Sequence, residues 1–368
     1  MSVILTTLAA VFVFSVVILI HEFCHYITAR KCGIRVNEFS IGMGPALFHW
    51  KKSGIQYSLR LLPIGGYVSM EGENGEEEEP EEEKQPAEGE LFPVPEEASP
   101  EETPPGLPFG EVSVPRRMLV VSAGAIMNFV LGFVIMLILV CNQPYITGRQ
   151  IYEFSPDAPS QASGLQKDDE ILAVNGHRCR VAADILYELS RTENYTADFL
   201  VKRGGETVSV PGVRFGSETL EDGSIRMQLD FMVYAVEKTP VTVLREAFNQ
   251  TCYYGNLVFS SLTDLARGRV SINELSGPVG IVSAISTAVS YGWQDLLSLM
   301  ALITVNLGIF NLLPFPALDG GRLALLLVEG VTHRPVHKKV EAFLNVAGMA
   351  LLLTLMVFVT FQDILRLA

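Results

Sequence analysis

Four long apolar stretches constrain what this chain can fold into more than any other feature of its sequence. A helix of about 20 apolar residues is long enough to cross the hydrocarbon core of a bilayer. The chain has 368 residues and a positive mean hydropathy, which suits a protein that is part membrane and part soluble. The sequence therefore predicts an α-helical polytopic membrane protein with four transmembrane helices. The predicted spans are residues 2–24, 118–140, 296–318 and 342–361.

The net charge of −14 comes from one segment and does not describe the rest of the chain. Residues 71–102 hold fifteen Glu and one Lys, and they are also rich in Pro. Such a composition cannot bury enough apolar surface to offset the entropy of an ordered chain, so we predict a disordered acidic insert over 71–112. A solvated, low-complexity segment is preferred to an acidic docking segment. No compact basic face is visible, which argues against a nucleic-acid partner.

Basic residues predict which side of the membrane each loop faces, because cytoplasmic loops carry an excess of Lys and Arg. The loop between the first two spans and the loop between the last two are rich in both. We therefore expect these loops in the cytoplasm, with 141–295 and both termini outside. The basic residues are Arg30, Lys31, Arg35, Lys51, Lys52, Arg60, Arg116, Arg117, Arg322, Arg334, Lys338 and Lys339.

The first apolar stretch ends in HEFCH, which contains His21, Glu22 and His25. Ionisable side chains at such a depth cost free energy, so they suggest a function. Because the two histidines are four residues apart, a helix places both imidazoles on one face. Two His at this spacing can bind one metal ion, and Glu22 can deprotonate a water molecule that the metal activates. The alternative is a pair of histidines at a helix end near the lipid headgroups.

A catalytic zinc ion needs a third protein ligand and an open position. The best candidate is Asp319, in NLLPFPALDGGR at 311–322, on the same predicted side of the membrane as His21. Pro314 and Pro316 break the helix there. Irregular backbone at membrane depth occurs where it is buried in protein or lines a wet cavity, so we expect a cavity. The alternative for Asp319 is a helix N-cap, which would leave the two prolines unexplained.

Two asparagines of the third span, Asn306 and Asn311, precede the aspartate. An amide can donate to the oxyanion of a tetrahedral intermediate, or it can join helices within a membrane. A catalytic role is favoured for Asn311, and the two roles are weighed equally for Asn306. Asn128 in the second span is interpreted as a packing residue. His333 and His337 repeat the HxxxH spacing, but a proline separates them, so they are interpreted as loop residues.

Together these motifs resemble the site-2 protease family of intramembrane zinc metalloproteases. HEFCH, NLLPFPALDGG and an intervening extracytoplasmic domain are similar to the bacterial regulator-of-sigma-E protease branch. The sequences FSIGMGP, LPIGGYVSM and RRMLVVSAGAIMN extend the likeness over nearly the whole chain. The resemblance implies that His21, His25 and Asp319 bind Zn²⁺, and that Glu22 is the catalytic acid and base. It also implies that Asn311 contacts the substrate or the oxyanion.

The sequence SPDAPSQASGLQKDDEILAVNGHRC at 155–179 resembles a PDZ domain, and implies one such domain over 142–237. Within it, Asn175–Gly176 predicts a tight hairpin turn. PDZ domains bind peptide ends by strand addition, and we expect the groove near Ile146–Gly148. Residues 243–292 begin with an amphipathic pattern, which suggests a helix on the outer membrane surface.

The alternation in QYSLRLLPIGGYVSM, at 56–70, predicts a β-hairpin that dips toward the candidate site. The amides of a transmembrane helix are hidden in their own hydrogen bonds, so a strand edge could hold the unwound substrate. The alternative is a small cytoplasmic hairpin without a substrate role. The predicted organisation is a first transmembrane helix with HExxH (1–28), a re-entrant hairpin region (29–70), the acidic insert (71–112), a second helix (113–141), the PDZ domain (142–237), an extracytoplasmic amphipathic region (238–292), a third helix with the LDG motif (293–321), a cytoplasmic loop (322–341) and a fourth helix with the C-terminus (342–368).

The expected activity is zinc-dependent hydrolysis of a peptide bond inside or beside a bacterial cell membrane. The resemblance implies that the substrates are single-span membrane proteins, such as an anti-sigma factor or a remnant signal peptide, cut in regulated intramembrane proteolysis. Two other classes stay open. A catalytically silent PDZ scaffold would need no HExxH with Asp319, and a metal transporter usually has internal repeats or more spans.

Overall fold

A computed structural model describes residues 3–73, 104–219, 225–269 and 276–367. The chain divides into two compact units. One consists of Met1–Gly132 and Val258–Ala368, and the other is Phe133–Leu257. The central part of the predicted acidic insert, 74–103, lies outside the described residues.

Four helices in the described residues are long and apolar enough to cross a membrane, so the prediction of four spans is confirmed. The first of them, α1 (Val3–Cys32), has 30 residues, about 45 Å, and continues through HEFCH. The third of these helices is shorter than the predicted span 296–318. It ends at Leu312, because Leu313 takes an extended conformation before Pro314. The four helices are α1 (Val3–Cys32), α2 (Val114–Asn142), α7 (Trp293–Leu312) and α9 (Lys338–Leu367).

Two shorter helices flank α7, and a longer one precedes them. The predicted amphipathic region contains α5 (Pro240–Ala266) and α6 (Pro278–Tyr291), and α6 is apolar enough to count as a short hydrophobic helix. Helix α8 (Asp319–Thr332) begins with the aspartate of the LDG motif. The start of α8 therefore lies one irregular connection of a few residues away from the end of α7.

The segment after α1 forms two long antiparallel strands, β1 (Val36–Lys52) and β2 (Ile55–Met70). A tight turn joins them, since Lys52 pairs with Ile55 and the two residues between have positive φ. The strand pair packs against the end of α1.

Both strands bend, so the pair is a four-segment sheet instead of the simple hairpin that the sequence suggested. Residues 36–41 pair with 66–70, whereas 46–52 pair with 55–60. The register also places 38–41 beside 56–59, so the first part of β1 lies between two parts of β2. The last part of β2 is consequently an edge of this sheet.

Ordered residues flank the undescribed part of the acidic insert, so the prediction of disorder extends too far at both ends. The Phe109 amide donates to the Glu71 carbonyl, and Ile34 pairs with Leu107. The Arg35 guanidinium donates to both carboxylate oxygens of Glu71 at 2.8 and 2.7 Å. These contacts hold the two ends of the insert against the sheet.

The second unit contains a β-rich domain over the residues where the sequence resembles a PDZ domain. Its main sheet has the strand order β10-β3-β4-β6-β7, with β5 paired to β4, and its hydrophobic core includes Ile151, Leu165 and Phe199. Asn175 and Gly176 make the predicted turn, since Val174 pairs with His177. The elements are β3 (Ile146–Phe154), α3 (Pro159–Ala162), β4 (Glu170–Val174), β5 (His177–Arg178), α4 (Ala182–Ser190), β6 (Thr196–Arg203), β7 (Glu206–Arg214), β8 (Gly216–Thr219), β9 (Ile225–Gln228) and β10 (Phe231–Val236).

The expected peptide groove near Ile146–Gly148 falls on the first residues of β3. Ile146 and Thr147 pair with Val236 and Ala235 of β10 along one edge, whereas β3 meets β4 only further along, where Gln150 pairs with Glu170. The other edge of Ile146–Gly148 has no strand partner among the described residues, and strand addition needs such an edge, so a groove at this position stays a prediction.

Candidate metal centre

The two histidines of HEFCH lie together on one buried face of α1. His21 and His25 have 6% and 7% of their surface exposed, and their Nε2 atoms are 3.2 Å apart. The rings meet edge to face, with centroids 4.8 Å apart. Their Nε2 atoms therefore converge on one point beside the helix.

Helix α2 packs directly against both imidazoles. A Cβ placed on Gly124 would lie 2.3 Å from His25 Nε2 and 2.6 Å from His21 Cε1, so any larger residue would displace the rings. His25 Nδ1 donates to the Val120 carbonyl at 2.9 Å, and the fully buried Asn128 amide lies 3.1 Å from His21 Nδ1. Contacts of this kind orient histidines that bind a metal.

The third candidate ligand comes from the start of α8. The Oδ2 atom of Asp319 lies 3.3 Å from Nε2 of His21 and 3.3 Å from Nε2 of His25. The same oxygen is buried and has no hydrogen-bond partner. A buried carboxylate oxygen without a partner is costly, so its place between two ring nitrogens calls for a cation.

The positions of His21 Nε2, His25 Nε2 and Asp319 Oδ2 fit the binding of one metal ion better than they fit hydrogen bonds among the three side chains. A carbonyl can only accept, so His25 carries its proton on Nδ1, and Nε2 of the neutral ring has a lone pair. Tetrahedral zinc holds such ligands at about 2.0–2.1 Å, which places neighbouring ligand atoms about 3.3 Å apart. The observed separations are 3.2 and 3.3 Å. Within the part of the chain that the structure describes, His21, His25 and Asp319 are the one group able to hold a metal ion.

Glu22 lies beside this group and beside the sheet. It follows His21 directly, so its side chain points about 100° around the helix from the imidazole face. A Cβ placed on Gly66 would lie 3.3 Å from Glu22 Cγ, so the edge segment 66–70 of β2 passes next to this side chain. A partly buried carboxylate thus stands between the candidate metal ligands and a strand edge.

The three asparagines of the apolar helices have different surroundings in the structure. Asn311 is half-buried, and its Nδ2 atom lies 3.4 Å from His21 Nε2, toward the candidate ion. Asn306 is exposed, five residues earlier on α7 and about 140° around that helix. The interpretation of Asn128 as a packing residue missed its contact with His21. The sequence feature that could have pointed to this contact is an asparagine within an apolar helix, four residues after Gly124.

The second HxxxH pair takes no part in this group. His333 is exposed at the end of α8 with a left-handed φ of 53°, and the His337 ring accepts from the Lys339 amide at 3.3 Å. These positions agree with the interpretation of both histidines as loop residues.

A polar cluster supports the sheet outside the membrane spans. Tyr67 donates to Glu38 at 2.7 Å, and the Arg60 guanidinium donates to Glu38 at 3.0 Å. Burial opposes ionisation of Glu38, but hydrogen bonds from Ser58, Tyr67 and Arg60 outweigh it and lower the pKa of Glu38. Burial and the bond to Glu38 raise the pKa of Tyr67 to about 12. The cluster therefore holds Tyr67, the residue after Gly66, in place.

Comparison with known proteins identifies the family of this chain. A family model described as Peptidase family M50 matches residues 9–355. The chain belongs to peptidase family M50. The predicted family and enzyme class, a zinc metalloprotease of the site-2 type, are thereby confirmed.

Relatives match this M50 peptidase over nearly its whole length. It is 33% identical to the zinc metalloprotease RasP of Shouchella clausii (strain KSM-K16), over 98% of this chain and 99% of that protein. It is 30% identical to the regulator of sigma-W protease RasP of Bacillus subtilis (strain 168), again over 98% and 99%. The probable protease eep of Enterococcus faecalis (strain ATCC 700802 / V583) is also 30% identical, with the same coverage.

Proposed function

We propose that this M50 peptidase cleaves peptide bonds within the transmembrane segments of single-span membrane proteins. The observation that carries the proposal is the meeting of His21, His25 and Asp319 beside Glu22, with both histidines on a helix that is long and apolar enough to cross a membrane. Eighteen residues of α1 precede His21, which corresponds to about 27 Å of helix. A centre at that distance along a spanning helix can reach a substrate helix near the edge of the bilayer core.

The proposed roles follow from the chemistry of the side chains. When bound, zinc supplies a Lewis acid that polarises a carbonyl and makes water more acidic. His21, His25 and Asp319 would hold the ion. Glu22 accepts a proton from the attacking water and returns it to the leaving amine nitrogen. Asn311 donates from Nδ2 to the oxygen of the carbonyl under attack.

The edge of the sheet is the proposed holder of the substrate. A substrate helix must unwind before hydrolysis, and its freed amides then need partners. Residues 66–70 pair with 36–41 along one side, and no described strand pairs with them along the other. Because this segment also passes beside Glu22, strand addition there would bring the scissile bond to the acid and base.

The β-rich domain is proposed to be a PDZ domain. Its groove is proposed near Ile146–Gly148, because this part of β3 pairs with β10 on one side and has no described strand partner on the other. Peptides that add a strand need such an edge. We place the domain outside the cell membrane and the metal centre near the cytoplasm, on the distribution of Lys and Arg.

The substrates are proposed to be anti-sigma-factor-like proteins or remnant signal peptides, cut in regulated intramembrane proteolysis. This class is suggested by the name of the Bacillus subtilis relative, a regulator of sigma-W protease. The bilayer is the second partner, since four helices are apolar enough to lie in it.

The test uses the full chain reconstituted in vesicles with a single-span model substrate. Glu22→Gln should abolish cleavage and retain zinc, since Gln keeps the shape but cannot shuttle a proton. Asp319→Ala should lower both zinc content and cleavage, because it removes a ligand. Substantial turnover by Glu22→Gln would refute the mechanism. Zinc binding by the wild type without any cleavage would favour a silent scaffold, and zinc flux across the vesicle would favour a transporter.

A further inference from the structure

The aspartate ligand depends on how α8 is held. The helix has 14 residues, and the side of it that carries Leu327, Val328 and Val331 is exposed. Its other side carries Asp319 and the buried Leu326, which are seven residues apart and therefore share a face. A small rotation or shift of this short helix would move the Asp319 carboxylate away from the histidines.

Two ion pairs hold the inner side of α8. Arg322 and Glu329 are also seven residues apart, so they project from one face two turns apart. Arg322 donates to the Glu73 carboxylate. Glu329 accepts two hydrogen bonds from Arg117 of α2, at 2.6 and 3.1 Å. The ends of α8 are therefore tied to two different elements of the unit.

The pair at the start of α8 is the one that bears on the metal centre. Arg322 lies one helical turn after Asp319. Glu73 follows the edge segment 66–70, and its amide donates to the Met70 carbonyl at 3.2 Å. Both side chains of the pair are largely buried, with 25% of Arg322 and 13% of Glu73 exposed. Burial raises the pKa of Glu73, and the Arg322 guanidinium opposes that rise.

We propose that Glu73 and Arg322 are a positioning pair for the metal centre. Their ion pair ties the strand edge that passes beside Glu22 to the helix that supplies Asp319, and so holds the third ligand against the two histidines. Neither residue binds the ion, and both act through Asp319. The inference rests on the proposed zinc site.

The experiment breaks each ion pair of α8 in turn, in the full-length chain in detergent. Glu73→Gln and Arg322→Gln remove the charge of one partner and keep much of its shape. Arg117→Gln is the matched control, since it breaks the other buried pair on the same face of the same helix. Zinc content, zinc loss to a competing chelator and thermal unfolding are measured for each variant, with kcat and KM on the model substrate.

Glu73→Gln and Arg322→Gln should each weaken zinc retention about tenfold, as loss of an outer contact to a ligand does. The double variant should lose about as much as either single variant, because the two residues act as a unit. Activity should fall through kcat when zinc is limiting and recover when zinc is in excess. Arg117→Gln should lower the unfolding temperature and leave zinc retention within a factor of two or so.

Wild-type zinc retention in Glu73→Gln would overturn the inference, as would equal zinc loss in Arg117→Gln or fully additive losses in the double variant. A wild-type protein that binds no zinc would refute the proposed function instead. The two failures are distinguishable, because the first requires a wild-type chain that holds zinc.

Discussion

Glycine at position 124 should be as necessary for the metal centre as the ligands themselves. Gly124→Ala adds one methyl group where α2 faces both imidazoles. That Cβ would lie 2.3 Å from His25 Nε2, 2.6 Å from His21 Cε1 and 2.7 Å from His21 Nδ1. Ordinary van der Waals contact begins at 3.4 Å, so the rings or the helix must move by about 1 Å.

The size of the effect follows from how little a zinc site tolerates. Ligand distances in metal sites vary by about 0.2 Å, so a movement of about 1 Å removes at least one nitrogen from the ion. Overpacking of a tight contact costs about 1–3 kcal/mol. If the centre absorbs that cost, zinc affinity should fall between about fivefold and 150-fold. Cleavage should fall in proportion to the zinc that is lost.

The matched control is Gly132→Ala, two turns further along the same helix. Its Cβ would lie 2.7 Å from Val305 Cγ2 and touches no candidate ligand. Both variants are purified, and their zinc content, chelator competition and thermal unfolding are compared. Gly132→Ala should destabilise the protein and keep its zinc. The reasoning fails if Gly124→Ala binds zinc as tightly as the wild type, or if both variants lose zinc equally.

Two further predictions concern residues outside the centre. His333→Ala combined with His337→Ala should leave the zinc content unchanged, because both side chains are exposed and neither belongs to the group of three candidate ligands. Metal analysis of the purified variant checks this. A drop in zinc content would mean that these histidines contribute to zinc binding. Deleting 74–103 should leave cleavage of a short model substrate largely intact, whereas the same deletion with Glu73→Gln should weaken zinc retention about tenfold. Loss of all activity in the simple deletion would give the acidic insert a catalytic role.

The candidate ligands could be found from the sequence because their chemistry leaves a short-range or compositional mark. His21 and His25 are one helical turn apart, so their spacing alone places them on one face. Asp319 is far away in the chain, but two prolines and an ionisable residue at a span end mark it as unusual. Neither argument needed the packing of one helix on another.

The supporting contacts could not be found in the same way, because they depend on which helix faces which. Asn128 is interpreted from the sequence as a packing residue, and only the register of α2 on α1 shows that its amide lies beside His21. The bend in β1 and β2 is similar. Alternation predicts the strands, but not that 36–41 lies between 56–59 and 66–70.

Glycine, threonine and asparagine lie where the helices around this centre contact one another. The membrane environment accounts for this choice of residues. Lipid tails are as apolar as leucine, so burial of apolar side chains does not select one helix packing over another, and close backbone approach and hydrogen bonds do. Helix α2 meets α7 through such contacts: a Cβ on Gly308 would lie 3.1 Å from the Ala125 carbonyl, and Thr304 donates to the Asn128 carbonyl at 3.3 Å. The residue that orients His21 is thus also joined to α7, the helix that leads to Asp319. A glycine or amide within an apolar span should therefore be examined first when the supports of a membrane metal centre are sought from sequence.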